Sequence, residues 1–285
     1  MLKRYNNKIA AVTGAGSGIG QALAINLAQA GCDLALADIN QTGLDETIEL
    51  LKPYNVKVTE RVLDVSDKQA VFDWADRVVN DHQSVNYIFN NAGVALSGTV
   101  AATSIEDYQW IMGINFWGVV YGTKAFLPYL EKSGDGHIVN TSSISGITAQ
   151  PLMSGYNASK FAIRGFTEAL RQDLEITNSC VTATSIHPGG IKTNIAKSSR
   201  MNKSVEEVTG IDREHSIAEF EKLFIHTADT AAKVILKGVS KNKRRVLIGA
   251  DARFFDFMAR VFPSKYQWLF TKIVKWQAKS VQKKR

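Results

Sequence analysis

Four glycines fall within eight residues, Thr13-Gly14-Ala15-Gly16-Ser17-Gly18-Ile19-Gly20, at the point where a β-prone run (residues 8–14, KIAAVTG) gives way to a helical stretch. No other feature constrains the chain more. Glycines there let the backbone turn tightly and approach a diphosphate, which then rests on the amides and the positive end of the following helix. A second apolar run, residues 33–38 (DLALAD), ends in Asp38, 18 residues beyond Gly20. A carboxylate at that place accepts the ribose hydroxyls of an adenosine and repels a 2′-phosphate. No Lys or Arg lies in the glycine loop, and Ile39 and Asn40 follow Asp38. The pattern predicts NAD rather than NADP.

The rest of the chain repeats the alternation. A glycine at Gly31 suits the end of the first helix. Residues 41–54 read as a helix stopped near Pro53, 56–65 as strand three, and 68–82 as a helix with Val71, Trp74, Ala75 and Val78 at helical spacing. Residues 86–91 give strand four. Ser104 is a candidate N-cap, with Glu106 and Asp107 in the first turn of a long helix toward Lys132. Strand five spans 137–143, a second long helix runs from 154 to 176, strand six spans 179–186, a helix 230–240 and strand seven 245–248. Strands alternating with helices of this length predict an α/β fold: a doubly wound (Rossmann) parallel sheet of about seven strands with helices on both faces. Residues 1–250 read as one catalytic domain, and residues 251–285 as a basic, aromatic helical extension.

Composition narrows the class. With 45% hydrophobic and 21% charged residues, the chain is neither disordered nor a disulfide scaffold. Cys32 and Cys180 stand far apart with no metal-ligand spacing, and read as buried thiols of a reducing compartment. The five histidines are dispersed; none is assigned a metal or catalytic role, and His187 is given packing or hydrogen bonding. No signal peptide is read before residue 8, and no apolar run is long enough to span a bilayer. The expectation is a cytoplasmic protein. Net charge is +7, and residues 251–285 carry all of it: nine Lys/Arg against two Asp, with 25 of each sign before them. A basic nucleic-acid-binding body is therefore not expected.

Tyr156 and Lys160 are i and i+4 on one helix, so both face the same way. An ammonium beside a phenol favours the phenolate and lowers its pKa toward a working pH. Ser143 sits past the carboxyl end of strand five, where open α/β sheets bind ligands, and can stabilise a developing oxyanion. In this arrangement Tyr156 exchanges a proton with a substrate oxygen while hydride moves to or from a nicotinamide.

Taken together, TGxxxGxG at 13–20, Asp64-Val65, Asn90-Asn91-Ala92-Gly93, Asn115, Ser143, Tyr156-xxx-Lys160 and Pro188-Gly189 with Thr193 downstream resemble the short-chain dehydrogenase/reductase family over residues 8–250. The resemblance implies a catalytic set of Asn115, Ser143, Tyr156 and Lys160, with Ser143 preferred to its neighbour Ser142. It makes Asn115 the keeper of a helix kink and of a water leading protons to Lys160, which also grips a ribose. Cofactor contacts are implied for Gly14, Ser17, Gly18, Ile19, Gly20 and Asp38. Asp64 and Val65 would border adenine, Asn91, Ala92 and Gly93 the adenosine ribose, and Pro188, Gly189, Ile191 and Thr193 the nicotinamide. Homodimers or homotetramers built through the two long helices are implied as well.

The resemblance places the substrate lid at about 190–227. Its Ile195, Met201, Val205, Val208, Ile211, Ile217, Phe220, Leu223, Phe224 and Ile225 suggest an apolar wall and a lipophilic alcohol or ketone. Two rivals stand beside this reading: an NADPH-dependent carbonyl or ketoacyl reductase, and a cofactor-bound scaffold with vestigial chemistry. On a helical wheel of the extension, Tyr266, Leu269, Phe270, Ile273 and Trp276 lie on one side, with Lys265, Lys272, Lys275, Lys279 and Lys283 on the other. That pattern fits a membrane surface, the protein's own body or a partner subunit.

Overall fold

The computed structural model describes residues 2–222 and 224–282. Its first half runs β1 (Ile9–Thr13), α1 (Gly18–Gln29), β2 (Asp33–Asp38), α2 (Gln41–Leu51), β3 (Val58–Val62), α3 (Lys68–His82) and β4 (Tyr87–Asn90). After β5 (Leu96–Ser97) come α4 (Ile105–Met112), a π-helical turn (Gly113–Trp117), α5 (Gly118–Lys132), β6 (Gly136–Thr141), α6 (Ser154–Ile176) and β7 (Val181–Pro188). Then follow β8 (Ile191–Lys192), β9 (Arg200–Met201), α7 (Ser204–Thr209), α8 (Arg213–Lys222) and β10 (His226–Thr227). The chain closes with α9 (Ala228–Ser240), β11 (Arg245–Ile248), α10 (Ala250–Val261) and α11 (Lys265–Gln282).

Seven strands make one parallel sheet in the order β11-β7-β6-β4-β1-β2-β3. The strands are short and apolar because both faces are covered. Their residues alternate between two cores: Ala10, Val12, Leu34 and Leu36 pack with Leu23 and Leu27 of α1 and Ile235 of α9. Ala11, Ala35, Ile88 and Ile138 face Trp74 of α3, Phe126 of α5 and Leu174 of α6. Chain order reverses between β1 and β4, so the carboxyl ends of these two strands open the ligand crevice.

Local signals act where they were read. Ser104 Oγ accepts from Asp107 N at 3.0 Å, and Gly31, at φ +77°, follows α1. The expected long helix from Ser104 is interrupted: the π turn inserts at Gly113–Trp117, around Asn115. Strand three is shorter than read, because β3 is an edge strand paired only with β2. Strand six starts two residues later than read and runs on to Pro188, whose lack of an N–H ends the ladder. Cys32 is buried, but Cys180 is exposed, since it precedes β7 at the margin of the sheet. No described helix is long and apolar enough to cross a membrane.

The lid is tied at its base, where Ile191 pairs with His226 and Lys192 with Thr227; β9 within it pairs with β5. Its expected apolar wall is only partly inward. Val205 is buried and Ile195 packs against a cluster of Leu96, Ile111, Met153 and Tyr156, whereas Val208 and Ile225 are exposed. Leu223 and the side chain of Phe220 lie outside the described residues, as does Lys283.

Candidate active site

Strand β6 ends at Thr141, and α6 passes beside it. Lys160 Nζ donates to the Thr141 carbonyl at 3.1 Å and lies 5.7 Å from the centroid of the Tyr156 ring. The Ser143 hydroxyl faces the Tyr156 phenol and accepts from Ser145 N at 3.1 Å. The two adjacent serines are thereby distinguished: Ser142 Oγ turns to the backbone of α6, donating to Lys160 O at 2.7 Å.

The electrostatics correct one expectation. Burial dominates the phenol and pushes Tyr156 up from its ordinary value, with the Ser143 hydrogen bond pulling it back. Lys160 Nζ stands 5.7 Å from the ring centroid, and burial draws its own ammonium down to about 8. The ligand-free site therefore favours a neutral phenol, a proton donor.

Asn115 is fully buried in the π turn. Its Nδ2 donates to Val94 O (3.0 Å) and Ser159 Oγ (3.0 Å), and its Oδ1 accepts from Val94 N (2.8 Å). Both ends of the amide are held by protein groups, joining the turn, the loop after β4 and α6. The side chain acts here as a staple. Gly93, on that loop, passes close enough that a Cβ would lie 3.3 Å from Lys160 Nζ.

Sequence reasoning missed several supports. Thr13 Oγ1 accepts from Asn91 N (3.0 Å) and Ala92 N (3.1 Å), and Asn91 Nδ2 donates to Thr13 O (3.2 Å), lashing the loop after β4 to the glycine turn. His187 Nδ1 lies 3.0 Å from Ser143 O, and its Nε2 lies 2.9 Å from Ser185 Oγ. A carbonyl only accepts, so Nδ1 carries the hydrogen and Nε2 accepts from Ser185. Burial lowers His187 to about 4 and keeps it neutral. Asp251, at the start of α10, accepts from Gly190 N at 2.7 Å and so ties the extension to the turn after β7. A buried polar residue inside a strand was the signal that could have found Thr13, while His187 takes the hydrogen-bonding place expected of it.

The residues present suit a dinucleotide. Gly14 and Gly18 have φ of +66° and +54°, and a Cβ on Gly14 would stand 2.9 Å from Ala92 Cα. A Cβ on Gly16 would meet the Asp38 carboxyl at 3.0 Å. Only bare backbone fits such a cradle. Ser17 caps α1 without a side-chain hydrogen bond, Ile19 packs on the core and Gly20 is buried. Asp38 is half-buried, accepting from Gly16 N and Asn40 N, each at 2.9 Å. Asp64 accepts from Ser66 N (2.8 Å) in an exposed turn, and Val65 is buried. Pro188 and Gly189 lie at the end of β7, and Thr193 touches Gly18. The side chain of Ile191 packs in the core, which leaves its backbone to border a ligand. A cleft of about 430 Å³ runs between Gly18, Gln21, Ile25, Thr193 and Asp229.

The short chain dehydrogenase family matches residues 8–204. An oxidoreductase named SadH, of Mycobacterium tuberculosis, is 44% identical over 270 residues, covering 94% of this chain and 95% of the relative. A short chain dehydrogenase/reductase of Burkholderia phymatum, solved in complex with NAD, superposes with a TM-score of 0.83 at 27% identity, covering 92% of this chain and 96% of that one. An alcohol dehydrogenase of Thermococcus sibiricus, complexed with 5-hydroxy-NADP, does so with a TM-score of 0.69 at 26% identity, covering 85% and 95%. With its parallel sheet, glycine turn and Tyr156–Lys160 pair in the places described, the chain belongs to the short-chain dehydrogenase/reductase family of oxidoreductases.

Proposed function

We propose that the protein is an NAD-dependent dehydrogenase that interconverts a lipophilic secondary alcohol and its ketone. One observation carries the reading: Tyr156, with the Ser143 hydroxyl and the Lys160 ammonium beside it, packs in the apolar cluster of Leu96, Ile111 and Met153. Gly14, Ser17, Gly18, Ile19 and Gly20 hold the diphosphate, and Asp38 the adenosine ribose. Asp64, Val65, Asn91, Ala92 and Gly93 border the adenosine; Pro188, Gly189, Thr193 and the backbone of Ile191 border the nicotinamide. When bound, the dinucleotide supplies the hydride donor or acceptor.

The chain's own residues handle the proton. Tyr156 gives it to a carbonyl oxygen in reduction and takes it from a hydroxyl in oxidation. Ser143 holds that oxygen through the change of charge, while His187 fixes the Ser143 backbone from behind. Lys160, anchored by Thr141, carries a charge that burial draws down to about 8 and that stabilises the phenolate. Exposed Trp117 and Phe161, at the end of the π turn and on α6, support assembly as a dimer or tetramer. The cytoplasm is the proposed location.

The test is NAD reduction against long-chain, steroid, retinoid and aromatic secondary alcohols, with NADP in parallel. Turnover with a large preference for NAD is expected. Tyr156→Phe should keep NADH binding and lose about 10²- to 10⁴-fold in kcat. Equal kcat/KM with NADP would support the NADPH-type reductase, which the Thermococcus complex favours. NADH binding with no turnover in either direction would leave a scaffold.

A further inference from the structure

The extension is amphipathic in a way its contacts with the body do not use up. In α11, Tyr266 is buried and Phe270 and Val274 are half-buried. The Tyr266 hydroxyl accepts from Ala149 N at 3.2 Å, and Phe270 meets the ring of Phe255 at 5.6 Å. That row docks on the body, as one of the expected occupants required. The next row around the helix does not: Leu269 and Ile273 are 38% and 45% exposed, and Trp268 is 63% exposed. In α10, Phe254, Phe257 and Val261 are 56%, 60% and 49% exposed. A helix of a soluble protein ordinarily turns such side chains inward, and a run of them outward marks an interaction surface.

Charge decides what covers it. Arg253, Lys265, Lys272, Lys275 and Lys279 are exposed on the same two helices, and none has a carboxylate partner among the described residues. Lys272 lies over the Trp268 ring at 3.9 Å. Both acids of the extension are engaged elsewhere: Asp251 with Gly190 N, and Asp256 with Arg245 (2.6 Å) and Arg260 (3.2 Å). The outer face is therefore apolar and cationic together. A second copy seated on it would set like charges against each other. A nucleic acid would offer phosphates and nothing for Leu269, Ile273 or Val261.

We propose that the outer face of α10 and α11 docks on an anionic lipid bilayer, with Phe254, Phe257, Val261, Leu269 and Ile273 entering the interface and Arg253, Lys265, Lys272, Lys275 and Lys279 meeting headgroup phosphates and carboxylates. Helix α11 lies against α7 of the lid, so docking brings the lid beside the source of a lipophilic substrate. The docking itself does not depend on which substrate the enzyme takes.

Flotation of the full chain with phosphatidylserine/phosphatidylcholine vesicles and with pure phosphatidylcholine vesicles tests this. Binding is expected to the anionic vesicles alone, weakening at high ionic strength. Each basic side chain near such a surface is worth about a fivefold factor in partitioning. The variant K265Q/K272Q/K275Q/K279Q should therefore lose about two orders of magnitude or more, and L269S/I273S should also float poorly. Thermal melts check that the variants fold; should the quadruple variant fail, K275Q alone still predicts a loss of about fivefold. Quenching of tryptophan fluorescence by brominated lipid acyl chains reports insertion directly. Three results overturn the proposal: no flotation of the wild type, equal flotation on neutral vesicles, or an oligomer that L269S/I273S dissociates while the wild type ignores lipid.

Discussion

Replacing Gly20 by alanine tests the cradle that begins α1. A Cβ there would lie 1.9 Å from Gly14 O, 2.6 Å from Gly14 C and 2.8 Å from Asn91 Nδ2. The first two are backbone atoms of the glycine turn, which Asn91 and Thr13 hold from the other side, so no flexible side chain can yield. The helix start and the turn must part by roughly 1.5 Å to reach ordinary contact, an overpacking that costs about 1–3 kcal/mol and is only partly offset by alanine's better helix propensity. For a chain of this size, that lowers the melting temperature by about 2–8 °C. The same shift moves the α1 amides away from an incoming diphosphate, and NADH affinity should fall at least about tenfold. Gly165→Ala is the matched control. It lies exposed in the middle of α6 with nothing within 4 Å of its Cβ, and should gain about 0.5–1 kcal/mol. Scanning calorimetry and NADH fluorescence titration of both variants read the difference. If Gly20→Ala melts and binds as the wild type does, the close approach is not there and the cradle argument fails.

Acid should unfold the protein through buried imidazoles. Burial lowers His137 to about 3 and His187 to about 4, against about 6.5 when unfolded. Below pH 6.5 the unfolded chain binds up to two more protons, so their contribution is complete above 6.5 and is lost as pH falls toward the folded values, by up to about 2–3 kcal/mol per pH unit. A melting temperature constant from pH 6.5 to 4 would contradict this. Asp38→Ser removes the charge that faces a 2′-phosphate, a repulsion of about 3 kcal/mol at an effective dielectric of 20. The NAD/NADP ratio of kcat/KM should then fall about a hundredfold, and an unchanged ratio would place discrimination elsewhere. Asn115→Ala deletes three hydrogen bonds at a fully buried site and should cost about 2–4 kcal/mol of stability together with turnover. Lost turnover at an unchanged melting temperature would refute the staple.

The parallel sheet was legible because its strands obey a two-residue alternation and its helices a 3.6-residue one, and both depend on near neighbours in sequence. Leu34 and Leu36 face one core while Ala35 and Ala37 face the other. The two ends of α3 were legible for the same reason: Asp67 accepts from Ala70 N at its start, and Gln83, with φ +66°, leaves the helix at its end. Tyr156 and Lys160 share a face by helix geometry alone. The halved lid wall and the exposed Cys180 were not legible, and the π turn only as the kink that the resemblance implied at Asn115, since each depends on what lies across a gap in the fold rather than along the chain.

The frame of the site consists of such lateral joins. His187 meets Ser143 across 44 residues, Asn115 meets Ser159 across 44 and Asp251 meets Gly190 across 61. None of these pairs has a periodicity to betray it, and each uses a residue type that is ordinarily found at the surface. They share one physical reason for existing. A reactive pair on a single helix is set to within a turn by local geometry, but a proton donor and the hydroxyl beside it come from different elements, α6 and the end of β6. Their separation is therefore only as definite as the contacts that bind those elements, and the two neutral joins, at His187 and Asn115, hold in a dry interior without the desolvation that a charged one incurs. A neutral His187 behind Ser143 meets that need, because protonating it would bury a charge in a dry interior. His187→Phe, which keeps the ring and removes both hydrogen bonds, should thus lower kcat while leaving KM for NAD near its original value. A matching rise in KM would instead assign the residue to cofactor binding.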